Sequence, residues 1–328
     1  MKTLGLSFIG LSLLVGITAC TFSAVTKRAT GLPYEVVVVM NKTLWEGDAG
    51  EKVKEELTMP VLALPQNEPS MRISYSPPAS FDGLLKYVRN ILIVDINSAT
   101  YSKVSLGQEK DEWATGQLIL KLKAPSSEAL IAWLAENETS IVRKFDFEER
   151  DRRVAQLQKT YSSLVMEKAQ SKFGVELHAP DDMTYFKDTT GFFWASNNAN
   201  TGRIDLLMYS FPYIDPATFT KEYLTAVRDS VLKLHLPGNR PGSYVSTELR
   251  SGVSYEPSTL DGKYCGILRG LWKMEGDMMG GPFVSYAVLD EKNQRVVVAE
   301  GLVFAPETTK RNLIRKAEAA LYTLDIPD

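Results

Sequence analysis

Hydrophobic and polar positions divide the chain into an apolar leader and a long body of alternating strand and helix patterns. Residues 4–17 are almost entirely apolar, and Lys2 is the only charged residue before Cys20. In the body, short runs rich in β-branched or alternating apolar residues predict strands. The predicted strands are residues 34–40, 71–76, 90–97, 116–123, 192–196, 203–211, 244–249, 264–274, 283–289 and 295–304.

Apolar residues spaced three and four apart predict amphipathic helices between these strands. The longest such pattern runs over residues 140–173. A highly charged segment near its start, residues 146–153, has alternating signs that cancel, which favours a solvated helix face. The other predicted helices are residues 48–58, residues 80–88, and segments that begin at Ser126, Asp215 and Pro306.

The order of these elements predicts an α+β fold with two sheet-plus-helix units, largely antiparallel, joined by the long helix. Both halves end in a strand, an Ala-Pro pair and an amphipathic helix, at Leu120–Pro125 and Leu302–Pro306. This similarity fits either a duplication or chance. The predicted boundaries are a signal peptide at 1–19, a lipidated tether at 20–32, a first α+β unit at 33–139, a connecting helix at 140–174 and a second α+β unit at 175–328.

The leader has the features of a bacterial lipoprotein signal peptide. A short positive segment, an apolar segment and small residues at a cleavage point are typical of secretory signals. Ile17-Thr18-Ala19-Cys20 has the form of a lipobox, so we expect cleavage before Cys20 and acylation of that residue. Two or more acyl chains anchor a protein stably. The alternatives are an ordinary signal peptide or an N-terminal membrane helix, although the apolar run is shorter than the roughly 20 residues that span a bilayer.

The residues after Cys20 predict where the anchored protein lies. Asp does not follow the cysteine, so a common inner-membrane retention signal is lacking, and residues 21–26 contain no acidic cluster of the kind that directs export to the cell surface. We therefore expect an outer-membrane lipoprotein that faces the periplasm.

Composition narrows the classes of function. Without residues 1–19, 36 basic residues face 40 acidic ones, a mildly acidic balance that argues against nucleic acid as a partner. If Cys20 is acylated, Cys265 has no disulfide partner. Its strand-like surroundings predict a buried small hydrophobe. His178 and His235 have no spaced partner of the kind that a metal site needs, so we expect neither a metal nor a cofactor.

The most unusual stretch lies between Arg269 and Phe283. Its glycines permit positive φ and close backbone approach, and Met278 and Met279 can adapt to a partner. This composition predicts a mobile loop that grips a ligand or partner, whereas the alternative is a wide β-hairpin turn whose methionines cover the core. The candidate contact residues are Arg269, Trp272, Glu275, Asp277, Met278, Met279, Gly280, Gly281 and Phe283.

Two further kinds of site are considered. Pairs of carboxylates hydrolyse glycans in many enzymes, and Asp181-Asp182, Glu275 and Asp277 are the candidates here, although loop carboxylates are usually solvated. Asp188-Thr189-Thr190 matches a short bacterial O-glycosylation signal, which makes Thr189 a candidate acceptor. So loose a pattern also arises by chance.

The segment Trp272–Phe283 and the later Gly301–Pro306 resemble uncharacterised lipoproteins of Bacteroidetes, those with domain of unknown function 4837. The resemblance extends to Leu44-Trp45 and the Ala-Pro strand ends, and so to nearly all of the mature chain. It implies a lipoprotein in the envelope of a Gram-negative bacterium, and it implies no activity, ligand or catalytic residue.

These observations favour a lipid-anchored envelope protein of non-enzymatic function, acting as a binding or assembly module. Its expected partners are the membrane, through the N-terminal lipid, and another envelope protein or a glycan. The alternative is a periplasmic hydrolase of cell-wall or surface glycans that uses Glu275 or Asp277 as acid or base.

Overall fold

The computed structural model describes residues 27–327 and has an α+β fold, as predicted. Cys20 and the expected signal peptide lie outside the described residues. Two separate sheets carry the fold, the first built by residues 35–124 and the second by residues 185–304.

The first sheet has five strands in the order β2-β1-β3-β5-β4. Its strands are β1 (Glu35–Val39), β2 (Arg72–Ser76), β3 (Asn90–Ile96), β4 (Ser105–Lys110) and β5 (Leu118–Ala124). Neighbours among β1, β2, β3 and β5 pair in parallel, and only β4 runs antiparallel to β5. Parallel neighbours need long crossover connections, and the segment from β1 to β2 provides one that contains helices.

Four helices belong to this unit: α1 (Lys42–Trp45), α2 (Asp48–Leu57), α3 (Ser127–Glu136) and α4 (Ser140–Leu157). Residues of α2, α3 and α4 pack with one face of the sheet in a single buried cluster. The other face is smaller and is covered by Trp113 and by residues of the segment 81–88.

Helix α4 lies between the two units and contacts both. It packs on the first sheet and also contacts helix α7 (Arg311–Leu321) of the second unit. The chain then breaks at residues 158–162, where Ser162 caps the new helix α5 (Ser163–Lys168). A π-helical turn (Ala169–Phe173) follows, and Gly174 ends it at positive φ.

The second sheet is antiparallel throughout and has eight strands. They are β6 (Tyr185–Thr189), β7 (Phe192–Ser196), β8 (Arg203–Pro212), β9 (Tyr244–Thr247), β10 (Ser254–Leu260), β11 (Lys263–Glu275), β12 (Gly280–Asp290) and β13 (Arg295–Phe304). The order is β10-β11-β12-β13-β8-β7-β6, and β9 pairs with the far end of β11. The strands at the centre are buried on both faces, which explains their nearly continuous apolar sequences.

Helices cover both faces of the second sheet. Helix α7 and the segment around α5 pack on one face, and helix α6 (Lys221–His235) packs on the other. The two faces form separate buried clusters, because side chains along a strand alternate between them. Among residues 27–327, no helix is both long enough and apolar enough to span a bilayer.

Several predicted details are wrong. The antiparallel expectation fails for the first sheet, and the two sheets differ in strand number and order, which is not what duplication of one unit would produce. Residues 80–88 form short 3-10 turns, because Gly83 adopts positive φ, and Leu84 is exposed. The predicted helix 140–173 is three helical segments. Strands β4, β6 and β10 are missing from the sequence prediction. They are edge strands whose exposed residues give no apolar pattern.

Candidate functional site

The candidate stretch Arg269–Phe283 is a β-hairpin formed by β11 and β12, and its residues point to two different faces. Trp272 and Phe283 lie in the buried cluster under helix α6. Arg269 lies on the opposite face, where its guanidinium donates to Glu318 Oε1 of helix α7 at 2.5 Å and to Glu256 Oε2 at 2.9 Å. The structure therefore separates Arg269 from the rest of the predicted loop.

Trp272, Gly281 and Phe283 hold the hairpin against the sheet. The indole Nε1–H of Trp272 donates to the carbonyl oxygen of Val303 at 3.1 Å. A Cβ at Gly281 would collide with that same carbonyl, so only glycine allows the two strands to approach here. These three residues are buried, and their role in the fold is structural.

A buried ion pair lies beneath the hairpin. Arg228 of α6 is completely buried, and its guanidinium contacts both oxygens of Glu300 on β13 at 2.7 to 3.0 Å. It also donates to Thr247 Oγ1 at 2.8 Å and lies over the ring of Phe283, 3.7 Å from its centroid. This one side chain links α6, β9, β12 and β13, and it fixes the base from which the hairpin extends.

The tip of the hairpin is a short, ordered turn. The amide of Asp277 donates to the carbonyl of Met274 at 3.2 Å, and Gly276 between them has φ of +79°, as a type II turn requires at its third residue. Met279 is partly buried against the core under α6. Met278 is fully exposed and extends from the turn. Met278 and Met279 therefore have different environments, although both are predicted from the sequence to contact a partner.

Charged residues surround the tip in alternating order. Glu248 accepts two hydrogen bonds from the Arg250 guanidinium at 2.9 Å. Lys273 lies 2.9 Å from Glu275 and 3.9 Å from Glu248. Two depressions of about 390 and 480 Å³ flank these residues and share them. We call this area the hairpin surface, which consists of Glu248, Leu249, Arg250, Lys273, Glu275, Asp277 and Met278.

The pKa values of Glu248 and Glu275 on the hairpin surface are lowered, which keeps these two carboxylates ionised. Hydrogen bonds from Arg250 lower the pKa of Glu248 to about 2. Lys273, with help from the Ser246 hydroxyl, lowers the pKa of Glu275, which is half-exposed. Asp277 lies 3.7 Å from Arg240. A general acid needs a raised pKa and a protected position, so these environments do not favour Glu275 as a proton donor.

A second concave region lies between the two units, and no pattern in the sequence predicted it. A cleft of about 370 Å³ separates α4 from α7 and the hairpin base. In it, the Arg150 guanidinium lies over the rings of Phe147 and Tyr322, at 4.7 and 4.2 Å from their centroids. Arg315 lies over the Tyr34 ring and contacts Asp146 at 2.8 Å. These residues come from distant parts of the chain, which is why sequence spacing did not group them.

The remaining predicted positions have ordinary structural contacts. Cys265 is buried and free, as predicted, and burial raises the pKa of its thiol to about 12. Thr189 is half-buried at the end of edge strand β6, with its hydroxyl 3.1 Å from Nδ1 of His235. Asp182 forms an ion pair with Lys316, 2.9 Å away. Within residues 27–327, no three His, Cys, Asp or Glu side chains are grouped as a metal site.

Comparison with known proteins identifies two families along the chain. Residues 162–323 match the domain of unknown function DUF4837, and residues 29–158 match a different one, DUF8532. The expected extent of the DUF4837 resemblance, nearly the whole mature chain, is therefore wrong for residues 29–158. The search of functionally curated proteins gave no match.

A solved crystal structure of a protein from Bacteroides thetaiotaomicron VPI-5482 was also found, at 13% sequence identity. The match covers 47% of this chain and 45% of that one, so the chain spans less than half of that protein, and the TM-score is 0.25. A similarity of this size supports no inference about fold or activity. Residues 162–323 of the chain are thus similar to the DUF4837 family, and a segment similar to DUF8532 precedes them.

Proposed function

We propose that this protein is a lipid-anchored protein of the bacterial cell envelope that binds another envelope protein through the hairpin surface. The anchor follows from the lipobox that ends at Cys20. The observation that carries the binding role is Met278, a fully exposed thioether on an ordered turn. An exposed apolar side chain on a hydrogen-bonded turn can enter a pocket of a partner, and the flexible thioether of methionine can adapt to the shape of that pocket.

The charges around Met278 support a protein partner. Glu248, Arg250, Lys273 and Glu275 alternate in sign and are already paired with one another. A surface with this charge pattern orients a partner that has the complementary charges and disfavours a partner that places like charges against it. The hydrogen bond of the buried Trp272 indole and the Arg228–Glu300 ion pair hold the hairpin in position. Neither contact uses a side chain of the hairpin surface.

Site-specific photo-crosslinking in intact cells tests this proposal. A photoreactive residue replaces Met278 in the full chain, and the matched control replaces Leu84, an exposed leucine on the first unit. We expect a discrete crosslinked species from position 278 and none from position 84. No crosslinked product at position 278, or the same product from both positions, would argue against binding at the hairpin surface.

The anchor has a separate test. The Cys20→Ser variant should lose metabolic labelling with palmitate and should leave the membrane fraction, because acylation of that thiol is the proposed attachment. Labelling that persists in this variant would exclude Cys20 as the lipidated residue. The crosslinking result does not depend on this outcome, so the two parts of the proposal can fail independently.

Hydrolysis of envelope glycans remains the alternative function, but no feature of the described residues favours it over binding. The lowered pKa of Glu275 suits an ionised surface group. Incubating the full chain with peptidoglycan and polysaccharide panels tests the alternative directly. Released products that disappear in the Glu275→Gln variant would support a hydrolase.

A further inference from the structure

A cationic cavity lies between helices α4 and α7, away from the hairpin surface. Its volume is about 280 Å³. Pro33 and Tyr34 form part of its wall, together with residues of both helices. Five cationic side chains and one carboxylate line it: Arg89, Arg152, Arg153, Arg315, Lys316 and Glu149.

Among residues 27–327, Glu149 is the single carboxylate of the lining, and one of its oxygens contacts two of the arginines. Glu149 is buried, and its Oε1 lies 2.8 Å from Arg89 Nε and 2.9 Å from Arg152 Nη1. The same oxygen accepts a hydrogen bond from Asn90 Nδ2 at 2.7 Å. Arg152 also donates to Asn90 Oδ1 and to the Arg89 carbonyl. Both guanidiniums are therefore held in position in advance of any ligand.

Arg315 and Lys316 also line the cavity, and each forms an ion pair with a carboxylate that does not line it. Arg315 contacts Asp146 at 2.8 Å, and Lys316 contacts Asp182 at 2.9 Å. Asp182 is exposed and Asp146 is half-buried, and neither lines the cavity, so their charges offset its positive charge only from outside. These pairs hold the two cations while the lining itself stays strongly positive.

Arg153 differs from the other four cations because it has no carboxylate partner within residues 27–327. Its Nη1 donates to Gln156 Oε1 at 2.9 Å, and its buried Nε–H has no acceptor there. The Nε–H of Arg152 is also buried without a hydrogen-bond acceptor, 3.6 Å from the nearest oxygen of Glu148. Buried donors are nearly always satisfied in folded proteins, so the unsatisfied Nε–H groups of Arg89, Arg152 and Arg153 around one cavity indicate a missing acceptor.

The shape of these groups selects the chemistry of that acceptor. Guanidinium groups present a planar fork of donors that matches the oxygens of a phosphate. The cavity is larger than inorganic phosphate needs and is near the lower size limit of small-molecule sites. From this geometry we propose that the cavity between α4 and α7 binds a phosphoryl group, with Arg152 and Arg153 as its principal donors.

A phosphoryl group can come from a soluble phosphate ester or from a phospholipid headgroup. The headgroup source rests on the proposed anchor at Cys20. The amide of Arg89 donates to the carbonyl of Thr30 at 2.9 Å, so the N-terminal segment passes beside the cavity. Thr30 lies ten positions after Cys20, and a chain of that length can reach at most roughly 35 Å. A membrane surface is therefore within reach of the cavity.

Calorimetric titration of the full chain in a non-ionic detergent tests the proposal. The probes are inorganic phosphate, glucose 6-phosphate as a soluble monoester and glycerophosphoglycerol as a lipid headgroup diester. We expect at least one probe to bind, and its affinity to fall at least tenfold in Arg153→Gln. Arg143→Gln removes an exposed arginine from the same helix outside the cavity, and it should bind as the native chain does.

The preferred probe identifies the source. Tighter binding of the monoester supports a soluble phosphate ester, and tighter binding of the diester supports a lipid headgroup. Arg153→Lys keeps the positive charge but removes the planar pair of guanidinium donors, so this variant should bind with intermediate affinity. Circular dichroism checks that each variant is folded. Absence of binding by all three probes, or equal affinity in Arg153→Gln and the native chain, would overturn the proposal.

Discussion

The buried pair between Arg228 and Glu300 is expected to dominate the stability of the second unit. Both side chains are completely buried, and three N–O contacts of 2.7 to 3.0 Å join them. Removing one partner leaves the other charge buried without compensation, which costs about 3–5 kcal/mol in comparable pairs. The free energy of unfolding of small domains is about 5–15 kcal/mol, so either Arg228→Met or Glu300→Gln should remove a large part of it.

The double replacement should behave differently. Burial raises the pKa of Glu300 even though Arg228 opposes that change, so the desolvation of this carboxylate outweighs the attraction of its partner. Apolar replacement of both members of such pairs is often neutral or stabilising. We therefore expect Arg228→Met with Glu300→Leu to be markedly more stable than either single variant, although the double variant also loses the contact of Arg228 with the Phe283 ring.

Urea unfolding of the full chain at pH 7, in a non-ionic detergent, measures these differences. Circular dichroism and tryptophan fluorescence should report the same transition midpoints. The control is Arg143→Met, which removes an exposed arginine on helix α4 and should leave the midpoint unchanged. Single variants that lose less than about 1 kcal/mol, or a double variant as unstable as the singles, would refute the reasoning.

Three further predictions concern single positions. Gly281→Ala should destabilise the chain by about 1–3 kcal/mol in the same unfolding assay, because the added Cβ meets the Val303 carbonyl, whereas Gly107→Ala has only an ordinary contact at 3.9 Å and should be tolerated. Cys265 should resist iodoacetamide at pH 8 until urea unfolds the chain, since its thiol pKa is about 12, and rapid labelling of the folded chain would contradict its burial. Glu248 should titrate near pH 2 by NMR, and its pKa should return toward 4.5 in Arg250→Gln. Because the pKa of Glu248 is lowered in the folded state, its stabilising contribution is complete above about pH 4.5 and disappears as the pH falls through about 2.

The fold class and most central strands could be predicted because burial leaves a strong pattern. Strand β13 and helix α2 lie within a residue or two of their predicted positions, since their apolar positions follow the periods of strand and helix. Edge strands such as β4 have exposed residues and no such pattern. Parallel pairing in the first sheet depends on how the crossovers pack, which local sequence does not encode.

The candidate site was predictable only in part, for a related reason. The composition of residues 269–283 indicated an unusual hairpin, but composition does not say which side chains face the core. Strand alternation places Trp272 inside and Arg269 on the opposite face, and only the pairing of β11 with both β9 and β12 fixes that choice. The cavity between α4 and α7 combines residues more than two hundred positions apart, so no local motif could indicate it.

In the proposed function, Met278 on the hairpin surface contacts a protein partner. Affinity purification of the tagged full chain from its cells, with quantitative mass spectrometry, tests it most directly when Met278→Glu is compared with Leu84→Glu. Both variants place a charge at an exposed apolar position, so neither should change the melting temperature. We expect the recovery of a copurifying envelope protein to fall at least tenfold with Met278→Glu and to be unchanged with Leu84→Glu. Equal recovery with both variants would contradict the claim.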